Sequence, residues 1–366
     1  MRPVTVGLIG CGNISAAYLR AAPKFDDIRI VSCADLDPAR ARDRAREFGL
    51  SAAGSVEELL ADRDIEVILN LTIPQAHVPV GLAAIKAGKH VHCEKSLAVS
   101  TAEARPLLEA AQAAGLRIGC APDTFLGGSH QTARGLIDAG KIGRPLSGTA
   151  FMMNQGHEHW HPDPGFYYAD GGGPLFDMGP YYLTNLVNLL GPVESVVGSA
   201  TSGYTQRSIE SAPRRGEIIE VQVPTHITGI LSFVSGTVVT ITTSFDVWKH
   251  RHGHMEIYGT EGSLIVPDPN RFGGTVSVAA RRGEWEDVPP SHGYFDDNYR
   301  ILGLADMARA IRTGRPHRCS GSLAFHVLEV MEAILRAGQT QGAVRIESRC
   351  PQPAPLPPRS EIGRLD

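Results

Sequence analysis

The chain of 366 residues is long enough for two domains rather than one. Its 42% hydrophobic and 20% charged residues are typical of a folded globular protein and exclude extensive disorder. A net charge of −4 argues against nucleic acid as the main partner, and the absence of a run of about 18 apolar residues argues against a membrane span. Because the chain starts directly with a strand pattern, we expect no signal peptide, a cytoplasmic location and six reduced cysteines.

The first 121 residues alternate between short apolar runs and amphipathic stretches. Strands are predicted at 4–9, 28–34, 66–71, 90–93 and 117–119, and helices at 14–22, 38–48, 56–61, 76–87 and 101–114. Continuous apolar strands separated by helices predict a parallel sheet that is covered on both faces. We therefore expect an α/β fold with an N-terminal Rossmann domain at 1–121.

A glycine-rich turn follows the first predicted strand. Without Cβ atoms at Gly10 and Gly12, a pyrophosphate can approach the backbone at the start of a helix. Ser15 stands where the dinucleotide pattern has glycine or alanine, so the pattern is incomplete and a plain tight turn is the alternative. The residues expected to contact a dinucleotide here are Gly10, Gly12, Asn13 and Ile14.

An acidic residue ends the second strand, as dinucleotide binding requires. Asp35 lies 23 residues after Gly12, where a carboxylate accepts the ribose hydroxyls of NAD and repels the 2′-phosphate of NADP. Leu36 follows, and we expect no arginine to stand beside Asp35 and hold that phosphate. The sequence therefore favours NAD as the cofactor over NADP, with an ordinary turn acid as the alternative.

Two further loops end strands at the same edge of the sheet, where ligands bind. The first contains Thr72, Pro74 and His77, which we expect to contact a ribose or phosphate, unless His77 faces solvent. The second contains Glu94 and Lys95. A lysine at the carboxyl end of a parallel strand points towards the cofactor crevice, whereas a solvated charge pair is the alternative.

Together these motifs resemble those of the Gfo/Idh/MocA family. The resemblance rests on the glycine turn, the Thr-x-Pro-x-x-His loop and the run Ala-Gly-Lys-His-Val-His-Cys-Glu-Lys that ends at Lys95, and it extends over most of the chain. It implies a nicotinamide-dependent dehydrogenase of sugars, inositols or dihydrodiols. The family usually has proline after this lysine, whereas this chain has Ser96.

The pattern changes in the second half of the chain. A helix at 129–139 precedes a β-rich stretch at about 195–280, in which apolar and polar residues alternate. Two helices at 299–313 and 323–337 follow, and the prolines at 350–358 predict an extended segment that could lie on another subunit.

These elements predict an α+β domain with a large, mostly antiparallel sheet at 122–349. Its closing helices are expected to pack back on the first domain, and a proline-rich tail occupies 350–366. The family resemblance implies that such sheets pair between subunits, so a homodimer or homotetramer is expected.

A second motif places three glycines before a long helix that continues to Leu190. Asp177 and Tyr181 are four residues apart, so both project from one face near the helix start. Oxidation of an alcohol needs a proton acceptor, and Tyr181 can serve as a phenolate if Lys95 stabilises its charge. Asp177 can hold a neighbouring hydroxyl or orient Lys95. The alternative is a helix acid beside a packed tyrosine.

This motif is similar to the family's Gly-Gly-Gly-x-x-x-Asp-x-Gly-x-His, with Tyr181 at the histidine position. The resemblance implies that a tyrosine at this position serves as the acid/base. The departure therefore argues against a standard inositol-dehydrogenase triad, and not against catalysis.

Three histidines alternate in the loop before this helix. On a strand, His157, His159 and His161 would share one face and could bind zinc or manganese, but Pro162 interrupts regular structure here, so we expect no metal. A substrate loop is favoured instead, in which Trp160 offers its face to a sugar ring while His157 and His161 bond hydroxyls. Surface histidines with Trp160 in the core are the alternative.

Two further polar residues follow or lie within predicted elements. Asp123 follows the last strand of the first half and is predicted to bind a substrate hydroxyl, with a cap or turn acid as the alternative. His326 lies inside a predicted closing helix, so we expect it to be structural.

The function predicted from these motifs is NAD-dependent hydride transfer to or from the CH–OH carbon of a sugar, glycoside or polyol. One rival is a redox-neutral enzyme that holds NAD tightly and re-oxidises it within each turnover. A second rival is a non-catalytic sensor of dinucleotide or sugar, against which the presence of Lys95, Asp177 and Tyr181 argues.

Overall fold

The structure, a computed structural model, describes residues 2–358 and 365–366. Its first sheet has six parallel strands: β1 Val4–Ile9, β2 Ile28–Ala34, β3 Ala52–Gly54, β4 Val67–Asn70, β5 His90–Cys93 and β6 Ile118–Cys120. Their order is β3-β2-β1-β4-β5-β6, so the chain changes direction across the sheet beside β1. Every residue of β1 is buried, as a sheet covered on both faces requires. The predicted Rossmann architecture is confirmed, and only the short edge strand β3 was not predicted.

Five helices connect these strands: α1 Ser15–Ala21, α2 Pro38–Phe48, α3 Val56–Ala61, α4 Pro74–Lys86 and α5 Thr101–Ala113. Local sequence explains where they begin. Asp37 caps α2 by accepting a hydrogen bond from Ala39 N at 2.9 Å, with Pro38 at the first helical position. Ser55 and Glu58 form a reciprocal capping box at the start of α3.

The described part of the second half contains eleven strands: β7 Pro145–Met153, β8 Val193–Thr201, β9 Gln206–Ser208, β10 Ile218–Glu220, β11 His226–Phe233, β12 Val238–Ser244, β13 Met255–Gly259, β14 Gly262–Val266, β15 Val276–Ala280, β16 Glu286–Val288 and β17 Val344–Arg345. Strands β9 and β10 form a separate hairpin, and the other nine form one sheet in the order β16-β15-β14-β13-β7-β12-β11-β8-β17. All neighbours in this sheet are antiparallel except β7 and β12. The mostly antiparallel sheet was predicted, whereas β7 precedes the predicted β-rich stretch and was missed.

The second half also contains the helices α6 Gly128–Asp138, α7 Gly173–Leu190, α8 Leu302–Thr313 and α9 Gly321–Thr340. α7 is buried along most of its length, because it packs against β7, β11 and β12 on one side and α9 on another. α9 also contacts α5 and β6 of the first domain. The closing helices thus join the two sheets, and the start of α7 lies where the two domains meet.

The proline-rich tail lies on its own chain throughout its described part. Leu356 is buried, and its N–H donates to Gln131 Oε1 at 2.7 Å. The Arg318 guanidinium donates to the carbonyls of Ala354 and Pro355 at 2.9 and 3.0 Å. The expectation that this segment lies on another subunit is therefore wrong for residues 350–358; residues 359–364 of the predicted tail lie outside the described residues.

Two expectations drawn from composition concern the cysteines and the membrane. All six cysteines are buried free thiols, as predicted. Across residues 2–358 and 365–366, no helix has the length and apolar character needed to cross a bilayer.

Candidate active site

The turn between β1 and α1 keeps space for a ligand along its backbone. Gly10 has a φ of +98°, and a Cβ at this position would lie 2.6 Å from the backbone of the loop after β4, so a side chain is excluded. No atom of the described residues lies within 4 Å of the place where a Cβ would stand on Gly12, which leaves that side open. Ser15 is buried, and its Oγ donates to Gly12 O at 2.6 Å. Its hydroxyl therefore stabilises the turn from the buried side. Asn13 is exposed and Ile14 is partly exposed at the surface of the turn.

The carboxylate of Asp35 lies beside this turn and is held by backbone amides. Cys11 N donates to Oδ2 at 2.7 Å and Asp37 N donates to Oδ1 at 2.9 Å. Arg40 Nη1 lies 4.0 Å from Oδ1, so the inference that no arginine stands beside Asp35 is wrong in three dimensions. The first turn of α2 brings Arg40 back over the end of β2, which the linear sequence did not reveal. Leu36 is 98% exposed at the same edge.

The loop after β4 is tied down by His77. This histidine is fully buried, and its ring nitrogens lie 2.6 Å from Ser96 O and 3.0 Å from Thr72 O. Burial lowers the pKa of His77. The two ring nitrogens therefore lie against carbonyl oxygens of the chain itself, only one of which the single N–H of the neutral ring can bond, and neither nitrogen is left for the predicted ribose or phosphate contact. Thr72 and Pro74 remain partly exposed at the crevice.

Glu94 and Lys95 have separate roles, and they do not form a solvated charge pair. Glu94 is buried; its Oε1 accepts a hydrogen bond from Tyr18 OH at 2.6 Å and its Oε2 accepts one from Lys95 N at 2.8 Å. Lys95 Nζ crosses to the second domain, where it donates to the backbone oxygen and Oδ1 of Asp177 at 2.8 and 3.0 Å. The peptide between Lys95 and Ser96 is cis. Glu94 thus fixes the end of β5 while Lys95 joins the two domains.

Asp177 is bound from its other side by the histidine loop. His157 Nε2 lies 3.3 Å from Asp177 Oδ2, and Trp160 Nε1 donates to His157 Nδ1 at 3.3 Å. An indole N–H can only donate, so in the neutral imidazole Nδ1 accepts and Nε2–H donates to the carboxylate. Burial opposes ionisation of Asp177, but the charge of Lys95 and the hydrogen bond from His157 outweigh it and lower the pKa to about 2. Asp177 is therefore a fixed anion.

Tyr181 lies one helical turn after Asp177 and is 8% exposed. Its ring centroid is 5.7 Å from Lys95 Nζ and 6.0 Å from Arg300 Cζ. Burial and the negative charge of Glu94 raise the pKa of Tyr181 above its ordinary value, and the positive charges of Lys95 and Arg300 offset only part of this rise. Sequence reasoning missed Arg300, because this residue precedes α8 and no local motif connects it with α7.

A cavity of about 550 Å³ opens beside the Lys95–Asp177 pair, a size that suits a small-molecule ligand. Its walls come from the loops after β4 and β5 and from the segment before α7. Tyr167 belongs to this last segment, and its ring centroid lies 4.2 Å from that of His157. Tyr167 was missed, although the aromatic run directly before the glycine motif was a visible signal. The lining residues that the sequence did predict are Pro74, Lys95 and Asp177.

The histidine loop forms a helical turn and not a strand. Trp160 N and His161 N both donate to His157 O, at 3.2 and 2.9 Å, so the three imidazoles do not share a strand face. Trp160 is 54% exposed, His159 is exposed, and His161 Nδ1 accepts a hydrogen bond from Asp163 N at 3.1 Å. Within the part of the chain that the structure describes, no group of three or more His, Cys, Asp or Glu side chains could hold a metal ion.

Asp123 has the contacts of the capping alternative and not of a substrate ligand. It is 1% exposed, and its Oδ2 accepts hydrogen bonds from Ile301 N and Gly303 N at 2.9 and 3.0 Å at the start of α8. His326 is structural as predicted, because its Nε2 accepts a hydrogen bond from Val193 N at 3.0 Å.

Known proteins match both halves of the chain. Residues 4–121 match the model "Oxidoreductase family, NAD-binding Rossmann fold", and residues 130–265 match the GFO/IDH/MocA C-terminal domain. The chain is 28% identical over 351 residues to 1,5-anhydro-D-fructose reductase of Ensifer adhaerens, which covers 93% of this chain and 98% of the relative. It is 25% identical over 354 residues to D-xylose 1-dehydrogenase (NADP(+)) 2 of Haloferax volcanii, with 93% and 99% covered.

The fold is also similar to that of solved structures. An NAD binding oxidoreductase from Klebsiella pneumoniae superposes with a TM-score of 0.83 at 23% identity, covering 95% of this chain and all of the other. The two family matches together span about two-thirds of the chain, one on each sheet. The chain therefore belongs to the Gfo/Idh/MocA family of oxidoreductases, with an NAD-binding Rossmann domain at its N-terminus.

Proposed function

We propose that this protein transfers hydride between a nicotinamide dinucleotide, NAD in preference to NADP, and the CH–OH carbon of a sugar, glycoside or polyol. The observation that carries the proposal is the convergence of Lys95, Asp177 and Tyr181 at the junction of the two domains. Lys95 Nζ binds Asp177 Oδ1 at 3.0 Å and lies 5.7 Å from the Tyr181 ring centroid. The relatives named for anhydrofructose and xylose support a carbohydrate as the substrate class.

The crevice of the first domain suits a dinucleotide. A side chain at Gly10 would collide with the chain and the side of Gly12 is open, so the backbone there is accessible to a pyrophosphate. Asp35 would hold the ribose hydroxyls, and Glu94 and Lys95 would border the nicotinamide. When bound, the nicotinamide supplies the hydride acceptor or donor that no side chain can provide.

The preference for NAD rests on Asp35. Two backbone amides fix its carboxylate, which repels a 2′-phosphate on the adenosine ribose. Arg40 opposes this effect, because its side chain is 57% exposed and lies 4.0 Å from Oδ1. We therefore expect NAD to bind more tightly than NADP, with a smaller difference than an isolated aspartate would give.

The chain's own residues provide the proton chemistry. Tyr181, as a phenolate, accepts the proton of the reacting hydroxyl, and the charge of Lys95 stabilises that form. Asp177 holds Lys95 in place and accepts a hydrogen bond from His157. Trp160 and Tyr167 flank His157, where their rings can pack against a sugar ring.

We further propose that residues 1–121 bind the dinucleotide, that residues 122–349 bind the substrate, and that the large sheet pairs two subunits. The sheet face away from the helices carries Val197, Ile230 and Val238, which are 41%, 44% and 41% exposed. Val197 and Ile230 are direct neighbours across β8 and β11, so they form one apolar surface. Light scattering of the purified protein should show a homodimer or homotetramer; a monomer would contradict this assignment.

The catalytic proposal is tested by NADH absorbance with a panel of sugars, 1,5-anhydro sugars, inositols and glycosides, with NAD and NADP in parallel. Substrate-dependent NADH formation, faster than NADPH formation, is the expected result. Faster reaction with NADP would contradict the cofactor assignment. If no compound of the panel yields NADH or NADPH, the proposal of an exchangeable cofactor is contradicted. Mass spectrometry of the native protein would then distinguish an enzyme that holds NAD tightly from a sensor without bound dinucleotide.

A further inference from the structure

Arg300 is an arginine that the chain holds against the buried face of Tyr181. Its Nη2 donates to Asn270 Oδ1 at 2.7 Å, and its backbone N–H donates to Asn298 Oδ1 at 3.1 Å. The first bond fixes the side chain from a second loop and the other fixes the backbone of Arg300, while the guanidinium carbon lies 6.0 Å from the Tyr181 ring centroid. The position of the cation is therefore set by neutral amides and not by an acidic residue.

The guanidinium has no close carboxylate partner among the described residues. Among residues 2–358 and 365–366, each salt bridge within 4.0 Å is made by a cation other than Arg300. A partly buried cation without a counter-ion is costly, since the low dielectric of the interior strengthens every unbalanced charge. Asp123 and Glu94 act on this charge without bonding it, and the phenol of Tyr181 is the ionisable group whose ring the guanidinium faces, so an anion formed there would be stabilised directly by Arg300.

Lys95 alone does not balance the charges around Tyr181. The ammonium of Lys95 is already bound to the carboxylate of Asp177, and this pair is neutral. Glu94 adds a negative charge at the end of β5, so a phenolate at Tyr181 would face a net negative surrounding without Arg300. The ionisable groups whose charges act on Tyr181 are Glu94, Lys95, Tyr167 and Arg300, while Asp177 acts on Lys95 and Asp123 acts on Arg300.

We propose that Arg300 is the counter-ion that stabilises Tyr181 as a phenolate, the form in which it accepts the substrate's hydroxyl proton. Arg300 acts through Tyr181 and is not itself a catalytic residue. This inference deepens the proposed function and rests on it, because it assigns the proton-accepting role to Tyr181. It also explains why an arginine remote in sequence from both signature motifs is held at this point.

The test reads the ionisation of residue 181 without requiring activity. A ring-fluorinated tyrosine, which is more acidic than tyrosine, replaces Tyr181, and its ¹⁹F resonance is followed against pH in the otherwise unchanged protein and with Arg300→Met. Loss of a cation at this distance should raise the pKa of the fluorotyrosine by about one unit or more. Arg300→Lys keeps the charge, so the pKa of the fluorotyrosine should lie close to that in the parent protein. Thermal unfolding of each variant verifies that it is folded.

Arg271→Met is the matched control. Arg271 and Arg300 both line a second cavity of about 560 Å³, which is separate from the one beside Lys95 and Asp177. The side chain of Arg271 is 79% exposed and lies 3.7 Å from Asp268. This substitution removes a neighbouring cation without touching Tyr181, so the resonance should titrate as in the parent protein. An unchanged pKa with Arg300→Met overturns the proposal, as does an equal shift with Arg300→Met and Arg300→Lys, which would indicate a loss of packing and not of charge.

Failure of the proposed function gives a different result. If no sugar yields NADH but the ¹⁹F titration shifts as expected, the dehydrogenase assignment fails and the counter-ion role stands. If the enzyme is active and the titration does not move, the counter-ion role fails alone. In the active enzyme, kcat should rise with pH as Tyr181 ionises. Arg300→Met should shift the midpoint of this rise to higher pH by the same number of pH units as it shifts the ¹⁹F titration.

Discussion

The dinucleotide crevice and the substrate cavity differ in what fixes their carboxylates. Asp35 is held by Cys11 N and Asp37 N, which belong to the glycine turn and to its own loop. Asp177 is held by the side chains of Lys95, 82 positions earlier, and His157, 20 positions earlier. The first carboxylate is oriented by backbone that the parallel sheet itself places, whereas the second is oriented only once both domains have packed together.

Because of this difference, we expect Asp35 to affect cofactor binding and Asp177 to affect the chemical step. Changes at Asp35 should alter the choice and affinity of the cofactor without affecting proton transfer, because no catalytic side chain contacts Asp35. Changes around Asp177 should alter turnover without affecting cofactor affinity. A substitution that affected both functions equally would break the comparison.

The largest effect is expected from Tyr181→Phe. This change removes the proposed proton acceptor while leaving the ring in place, so kcat should fall about 10²- to 10⁴-fold. The dissociation constant of NAD, measured by fluorescence or calorimetry, should change little. Retention of kcat would contradict the role of Tyr181 and would favour the sensor or a different acceptor.

Tyr182→Phe is the control for this prediction. Tyr182 is the next residue of α7 and is also buried, but its hydroxyl donates to Phe151 O at 3.1 Å and lies 2.9 Å from His254 Nδ1, on the side of the large sheet. Its loss should cost stability of about 1 kcal/mol and leave kcat close to the parent value. Equal losses of kcat in both variants would indicate a general packing effect.

A smaller effect is expected from Asp35→Ala. Loss of the charged acceptor for the ribose hydroxyls should raise the KM for NAD by about tenfold or more, and the preference for NAD over NADP should narrow or reverse. Asp37→Ala is the control, since it removes the cap of α2 two residues away. Parallel kinetics with NAD and NADP decide the result, and an unchanged cofactor ratio in Asp35→Ala would contradict the assignment.

His157→Ala should act on the substrate side only. It removes the hydrogen bond to Asp177 Oδ2 and the ring that packs on Tyr167, so kcat/KM for the sugar should fall about tenfold. The KM for NAD should stay the same. His159→Ala, at an exposed position of the same turn, should have no effect on either constant; a matching loss there would mean that the whole loop, and not His157, controls the site.

The smallest effect on activity is expected from Asp123→Ala. This change leaves the amides of Ile301 and Gly303 without their acceptor, which should lower the free energy of unfolding by about 1–3 kcal/mol while kcat and KM stay constant. Denaturant unfolding measures the loss. A raised KM for the sugar would instead restore Asp123 as a substrate ligand.

The same variant has a defined pH dependence. Burial raises the pKa of Asp123 above its unfolded value of about 3.9. The stability that depends on its proton is therefore fully present below that unfolded value and is lost as pH rises through the higher folded pKa. The difference in unfolding free energy between the parent and Asp123→Ala should be larger in mildly acidic than in neutral buffer, and the opposite trend would contradict a buried carboxyl.

The sequence correctly predicted structural features that depend on residues close together in the chain. The glycine turn, the cap at Asp37 and the shared face of Asp177 and Tyr181 all follow from spacings of a few residues, and the structure contains the turn and the cap as predicted. The alternation of strands and helices likewise predicted the order of elements in the first domain.

The sequence did not predict contacts between segments that are distant in the chain. Arg40 approaches Asp35 only because α2 folds back on β2, and Arg300 approaches Tyr181 only because the segment before α8 packs on α7. Asp123 was expected at the crevice because it follows a strand, but the amides at the start of α8 occupy its carboxylate. Single-sequence patterns do not encode such contacts.

The central claim is direct hydride transfer at the junction of Lys95, Asp177 and Tyr181. It is tested most directly by a single turnover of the purified protein with a sugar deuterated at its CH–OH carbons, followed by mass spectrometry of the dinucleotide. Deuterium is expected in the reduced nicotinamide ring with the parent protein and not with Tyr181→Phe on the same timescale. Absence of deuterium with every sugar that binds the parent protein would contradict the claim.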